Sequence, residues 1–217
     1  MSRTITVKGY GKLSLAPDLC VVSLTLKALD PVYDKTMEKA AKQLASLQGA
    51  LAGVGFDKKE LKTSAFRVYT EQESRRDENG NYASVFVGYG CTQEIELSFG
   101  FDTGRLSQVL SAVTESVSDP GMNISFRVKD TEAAVGELLA AAVKDAKKKA
   151  QVLADAADVP LGKILQIEYG KAEHDFSSRT EYAMDRKCMA MNVGAAMSVT
   201  PENVELTENV TLVWEIG

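Results

Sequence analysis

NISF at residues 123–126, TEAAVGELLAAAVKDAKKKAQVLADAAD at residues 131–158 and VELTENVTLVWEI at residues 204–216 decide the fold. The middle run carries Val135, Leu139, Val143, Ala146, Ala150, Leu153 and Ala157 at alternating spacings of four and three, the mark of one apolar helix face. Lys144, Lys147, Lys148 and Lys149 lie mainly off that seam, and Asp145 is placed to pair with a lysine three or four residues on. At about 1.5 Å per residue, a helix over residues 131–157 is roughly 40 Å long. Its small alanines allow another backbone to come close. In the closing run Val204, Leu206, Val210, Leu212, Trp214 and Ile216 share one parity, with Glu208 the single exception, as in a strand with one covered face.

Two further helices precede this region. Tyr33, Met37, Ala40, Leu44, Leu47, Leu51 and Val54 form a seam behind Asp30-Pro31, read as N-cap and first helical residue, and Gly55 ends it. Leu106, Val109, Leu110, Val113 and Val117 form a shorter one behind an Asp102 cap, suited to packing on a sheet. Alternation marks strands at Cys20 to Leu26, at Phe66 and Val68, at Ile95 to Phe99, and at Ile164 or Leu165 with Ile167 and Tyr169. Between Arg67 and Phe99 the turn cluster Asp77-Glu-Asn-Gly80 predicts a long hairpin with an Asn-Gly tip.

The order is strand, strand, helix, long hairpin, helix, strand, long helix, strand, long loop, strand. It predicts one α+β domain over residues 1–217, with an antiparallel or mixed sheet and three helices, the longest rich in Ala and Lys. A strand-helix-hairpin unit is echoed between residues 19–100 and 122–217, which suggests an internal duplication. Ala157-Asp-Val-Pro-Leu-Gly162 ends the long helix much as Gly53-Val-Gly-Phe56 ends the first.

Composition bounds the partners. The chain is 217 residues long, 45% hydrophobic and 25% charged, with 30 acids against 25 bases and a formal charge of −5. Acids and bases are interspersed, which argues against nucleic acid as the main partner. No run of about 18 apolar residues exists, so no membrane span is expected. The strand pattern Thr4-Ile-Thr-Val7 starts at once and offers no signal-peptide core. The expected location is cytoplasmic, and periplasmic or cell-surface where an export signal has been trimmed. Cys20, Cys91 and Cys188 are odd in number and far apart, which fits reduced thiols.

Several motifs invite chemistry. Gly9-Tyr-Gly11 and Gly88-Tyr-Gly90 resemble fragments of phosphate loops, yet neither carries a third glycine, and close packing is the preferred reading. His174, the one histidine, sits between Glu173 and Asp175 at the start of a polar loop and reads as a solvated residue rather than an acid-base catalyst. Glu71 with Glu73, and Glu94 with Glu96, read as charged strand edges rather than metal or glycosidase pairs. Asn123-Ile-Ser125 and Asn209-Val-Thr211 match glycosylation acceptors but fall in predicted strands.

Residues 183–197 hold Met184, Cys188, Met189, Met191 and Met197 within an expected loop of about thirty residues. Cys188, Met189 and Met191 form a soft-ligand set for Cu(I). A flexible interaction loop is preferred, because methionine adapts to irregular partner surfaces. No catalytic residue and no cofactor is assigned.

Together, Ile5-Thr-Val-Lys-Gly-Tyr-Gly11, Ala16-Pro-Asp18, Gly53-Val-Gly55, Asn123-Ile-Ser-Phe126, Ala142-Val-Lys-Asp-Ala146 with Lys149-Ala150, Leu161-Gly-Lys163 and Pro201 resemble the SIMPL-domain family over essentially the whole chain. The resemblance implies an α+β domain whose bacterial members are often exported, sometimes immunogenic and able to self-assemble, with no established enzymatic activity. Asp119-Pro-Gly121 and the missing export signal depart from the pattern. The expectation is a homo-oligomer or interaction scaffold. The alternatives are a small-ligand binder or enzyme with a pocket near the hairpin and Met-rich loop, and a soft-metal binder.

Overall fold

A computed structural model describes residues 3–76, 82–117, 120–170, 173–184 and 199–217. The hairpin tip Asn79-Gly80, the first residue of the Asp119-Pro-Gly121 turn, and Cys188, Met189, Met191 and Met197 lie outside the described residues. In chain order the elements are β1 (Arg3–Leu15), β2 (Leu19–Asp30), α1 (Tyr33–Gly53), a single 3₁₀ turn (Lys58–Glu60), β3 (Leu61–Arg76), β4 (Tyr82–Gly100), α2 (Thr103–Ser116), β5 (Gly121–Arg127), α3 (Thr131–Ala156), β6 (Leu161–Glu168), β7 (Ser177–Met184) and β8 (Val204–Ile216). The fold is α+β, and the described residues form three helices and two sheets ordered β1-β8-β6 and β3-β4-β2-β5-β7. The β1–β8, β6–β8, β2–β4 and β3–β4 pairs are all antiparallel.

The chain divides into two compact units, one of residues 1–18, 127–179 and 201–217, the other of residues 19–126 and 180–200. In the first unit α3 packs on β1 and β8 with β6 at the margin, and in the second α1 packs on β2 and β4.

In the second unit Cys20, Val22, Leu24 and Leu26 of β2 and Ile95, Leu97 and Phe99 of β4 meet Leu47 and Leu51 of α1 and Leu106, Val109 and Val113 of α2. Asp102 caps α2 as expected, its Oδ1 accepting from the Arg105 N–H at 2.6 Å. The start of α1 differs from expectation. Val32 occupies the N-cap without a side-chain bond, and Asp30 instead accepts from the Val32 N–H and pairs with Lys39 at 2.7 Å. Its end is a Schellman motif: Gly55, at φ +88, donates to Ala52 O and Phe56 to Leu51 O. The end of α3 repeats it, with Asp158 at φ 53, its N–H on Asp155 O and the Val159 N–H on Ala154 O. Phe66, expected on a covered face, is half exposed, because β3 lies outside the strands that α1 covers.

In the first unit the buried seam of α3 is Ala134, Leu138, Ala142, Ala146, Ala150 and Ala154, strictly every fourth residue. That is one step from the expected seam for most members, and Leu153 points half into solvent. The reason is β1. A Cβ on Gly9 would stand 2.1 Å from Ala142 O, and one on Gly11 2.0 Å from Leu138 O, so helix and strand backbones touch where only glycine and alanine fit. The wider Leu139 and Val143 pack at the margin. Gly9-Tyr-Gly11 is thus a helix seat and no phosphate loop.

Two strands depart from expectation. Leu161–Glu168 lies at the sheet margin with Ile164, Leu165 and Ile167 exposed, and Ser177–Met184 forms a strand where the polar sequence predicts loop. With little apolar alternation, β7 is specified by backbone pairing at a sheet edge.

Candidate functional site

In the first unit the parity of β8 turns Glu208 inward between Leu206 and Val210, where it is 2% exposed. Its Oε1 accepts from the Asn209 N–H at 2.8 Å, and its Oε2 lies 3.0 Å from His174 Nε2. The His174 side chain is 8% exposed and meets the Phe176 ring edge-on at 6.0 Å. The expectation of a solvated histidine is therefore corrected. The segment behind it is fastened to its own unit, since the Val128 N–H donates to Phe176 O at 3.0 Å and Ser178 Oγ donates to Glu202 O at 2.7 Å.

Asp175 does not join the pair. Its Oδ1 accepts from the Ser177 N–H, and this bond, with the Ser177 hydroxyl, holds its carboxyl below the usual carboxylate range. Among the described residues no three His, Cys, Asp or Glu are grouped to hold a metal. Chemically the arrangement is a buried carboxyl group held by the Asn209 N–H and by the His174 ring. Both side chains are closed to solvent, which suits a structural clasp and not a reacting centre.

The second unit carries the open surfaces. On the helix-free face of its sheet, Thr25, Lys27, Ala65, Arg67, Tyr69, Thr92 and Glu94 line a basin of about 470 Å³. Tyr69 lies across Gly90, whose added Cβ would come within 2.5 Å of the ring. Glu94 and Glu96 face cross-strand neighbours, Glu96 opposite Lys62 and Ser23, and Glu73 is held by Arg75 at 2.8 Å. Glu71 and Glu73 thus lie on the edge strand β3, as read from the sequence, whereas Glu94 and Glu96 lie on β4, which is paired on both sides, so the reading of that pair as a charged edge is corrected. Asn123 and Asn209 are in β5 and β8. Cys20 and Cys91 are free and buried, and burial pushes the Cys20 thiol up to about 12, leaving it unreactive.

Among the described residues the most exposed large apolar side chain, Tyr82, lies on the β3–β4 arm. β2 accompanies β4 only from Gly100 to Tyr89, whereas β3 stays with β4 as far as the Arg76–Tyr82 pair. Residues 71–76 and 82–88 therefore continue as a two-stranded ribbon. Along it Tyr82 is 77% exposed, and Val85 and Phe86 are open as well. At its base Tyr89 stacks edge-on with Phe86 at 5.3 Å and with Tyr33 at 5.6 Å. Met184 ends β7. The sequence pattern gives the hairpin but not how far it outruns β2, because strand length does not say where a neighbour stops.

A profile of the SIMPL family, described as a protein of unknown function (DUF541), matches residues 5–214. The 26 kDa periplasmic immunogenic proteins of Brucella melitensis and of Brucella abortus are each 24% identical over 166 residues, covering 75% of this chain. The match takes in 65% of each of those relatives, so the chain is aligned to about two thirds of their length. With the family match running over nearly all of its strands and helices, the chain belongs to the SIMPL family.

Proposed function

We propose that this chain is a non-enzymatic scaffold that associates with copies of itself through the β3–β4 arm. The carrying observation is the ribbon of residues 71–76 and 82–88, which leaves the sheet with open aromatic side chains and, among the described residues, no flanking strand. An isolated two-stranded ribbon is marginal in water, and an exposed apolar run of this kind gains by being covered. The helix seams, a second source of surface in the sequence reading, pack most of their length against the chain's own sheets. The family is described by no reaction, and the periplasmic relatives from Brucella support the periplasmic alternative for location.

The test is sedimentation velocity on a Tyr82→Ser, Phe86→Ser double variant beside the wild type. Both side chains are exposed, so folding should be unchanged, while the association constant should fall by about tenfold or more. An unchanged assembly would remove the arm from the interface. A second reading is favoured by the basin of Lys27, Arg67, Tyr69 and Glu94, whose mixed charges suit a small zwitterionic ligand. A reproducible extra mass on the purified chain, lost in Arg67→Ala, would bring that reading forward.

A further inference from the structure

The sheet of the first unit ends in two different ways. At β1 the Tyr10 N–H points out of the sheet and donates to Asp145 of α3 at 2.8 Å. Lys149 lies over the Tyr10 ring at 4.9 Å, and Lys8 and Lys12 flank it on the strand. That edge is blocked by a helix and by lysines. At β6 the sheet stops, and Ile164, Leu165 and Ile167 are all exposed, Ile167 by 59%.

The direction of the backbone groups on β6 follows from Tyr10. Because Tyr10 faces outward, its partner Asn209 turns toward the β6 side, and by alternation so do Thr211 and Val213, opposite Glu168 and Gln166. Leu212 and Trp214 then turn toward β1. Their β6 partners Ile167 and Ile164 aim N–H and C=O away from the sheet. The irregularity between Ile164 and Gln166 is what brings both isoleucines to the same side and the same edge.

The run Lys163-Ile-Leu-Gln-Ile-Glu168 is complementary to itself when reversed. We propose that β6 pairs antiparallel with β6 of a second copy, about a two-fold axis between Leu165 and Gln166. Ile164 then stands opposite the second copy's Ile167 with their outward backbone groups facing, and Lys163 stands opposite its Glu168. Each contact occurs twice, as an isologous interface requires. The irregularities on β6 confine the pairing to these six residues, so this is a short contact that works beside a larger one. Charge decides the occupant, since a foreign strand has no reason to carry Glu and Lys at the matching ends. The inference deepens the self-association reading and rests on it for the kind of partner, while using a surface separate from the arm.

The experiment is a charge swap in the full chain, read by sedimentation velocity over a concentration series with circular dichroism as folding control. Lys163→Glu and Glu168→Lys should each weaken the association by about tenfold, because two attractive cross-strand pairs become two repulsive ones. The double variant should return to within about twofold of wild type, since the swapped pairs are attractive again. Singles that associate like wild type, or a double variant no better than the singles, would overturn the β6 contact. If that happens while the Tyr82, Phe86 variant still dissociates, the arm reading stands without it. A wild type that stays monomeric throughout would overturn both.

Discussion

Position 208 places a carboxylate where the parity of the closing strand calls for an apolar side chain, and His174 is its one side-chain partner among the described residues. Removing one member of such a buried pair costs more than the pair contributes, because the other is left uncompensated. His174→Ala should therefore lower stability by about 3 kcal/mol. Adding Glu208→Leu should recover most of that loss, read as the urea midpoint of the three variants. Equal losses in the single and double variants would mean that the two side chains do not act together. The exception at 208 was legible in the sequence; its partner was not, since parity fixes a face and says nothing of which loop returns to cover it. Asp145 makes a residue-level prediction about pH. The Lys149 ammonium, then the Tyr10 N–H, hold its carboxyl below the usual carboxylate range. A carboxyl lowered in the fold stabilises fully above the ordinary value and loses that contribution as pH falls through its folded value. Asp145→Asn should thus melt below wild type at pH 7, with the gap closing at pH values below about 4. A gap of equal size at both ends would place the effect elsewhere.

Among the elements, α3 and β1 show how a correct helix assignment can carry the wrong seam. Periodicity predicts the helix to within a residue of Thr131–Ala156, and favours Val135, Leu139 and Val143 because they are the larger apolar residues. The strand beneath offers Gly9 and Gly11, so the closest fit goes to the alanines. Size matching between two distant elements is not visible in either one alone. Gly11→Ala puts a methyl 2.0 Å from Leu138 O and should cost about 3 kcal/mol, comparable with heavy overpacking. Gly49→Ala, with nothing within 4 Å of its added Cβ, is the control and should be neutral or slightly stabilising. Thermal melts of the two variants check this, and equal melts would mean that α3 does not rest on Gly11. That α1 and α3 end alike was legible in Gly53-Val-Gly-Phe56 and Ala157-Asp-Val-Pro-Leu-Gly162, because a turn of this kind is set by local residues, while the bonds that make both ends Schellman motifs come from the structure.

For the molecule as a whole, the α+β class, the three helices and the long hairpin were legible because each rests on a period or a turn within one stretch of chain. The use of surfaces was not. Seams that could equally have served an oligomer are spent inside each unit, while β6 and the β3–β4 arm remain open. What an open edge or arm meets depends on concentration and partner, and neither is written in a period. Native mass spectrometry of the untagged chain, purified gently and sprayed over a dilution series, reads self-association of the chain without a label or a tag. A discrete assembly of identical chains with no extra mass, dissociating on dilution, is the expected result. A bare monomer at every concentration would contradict it.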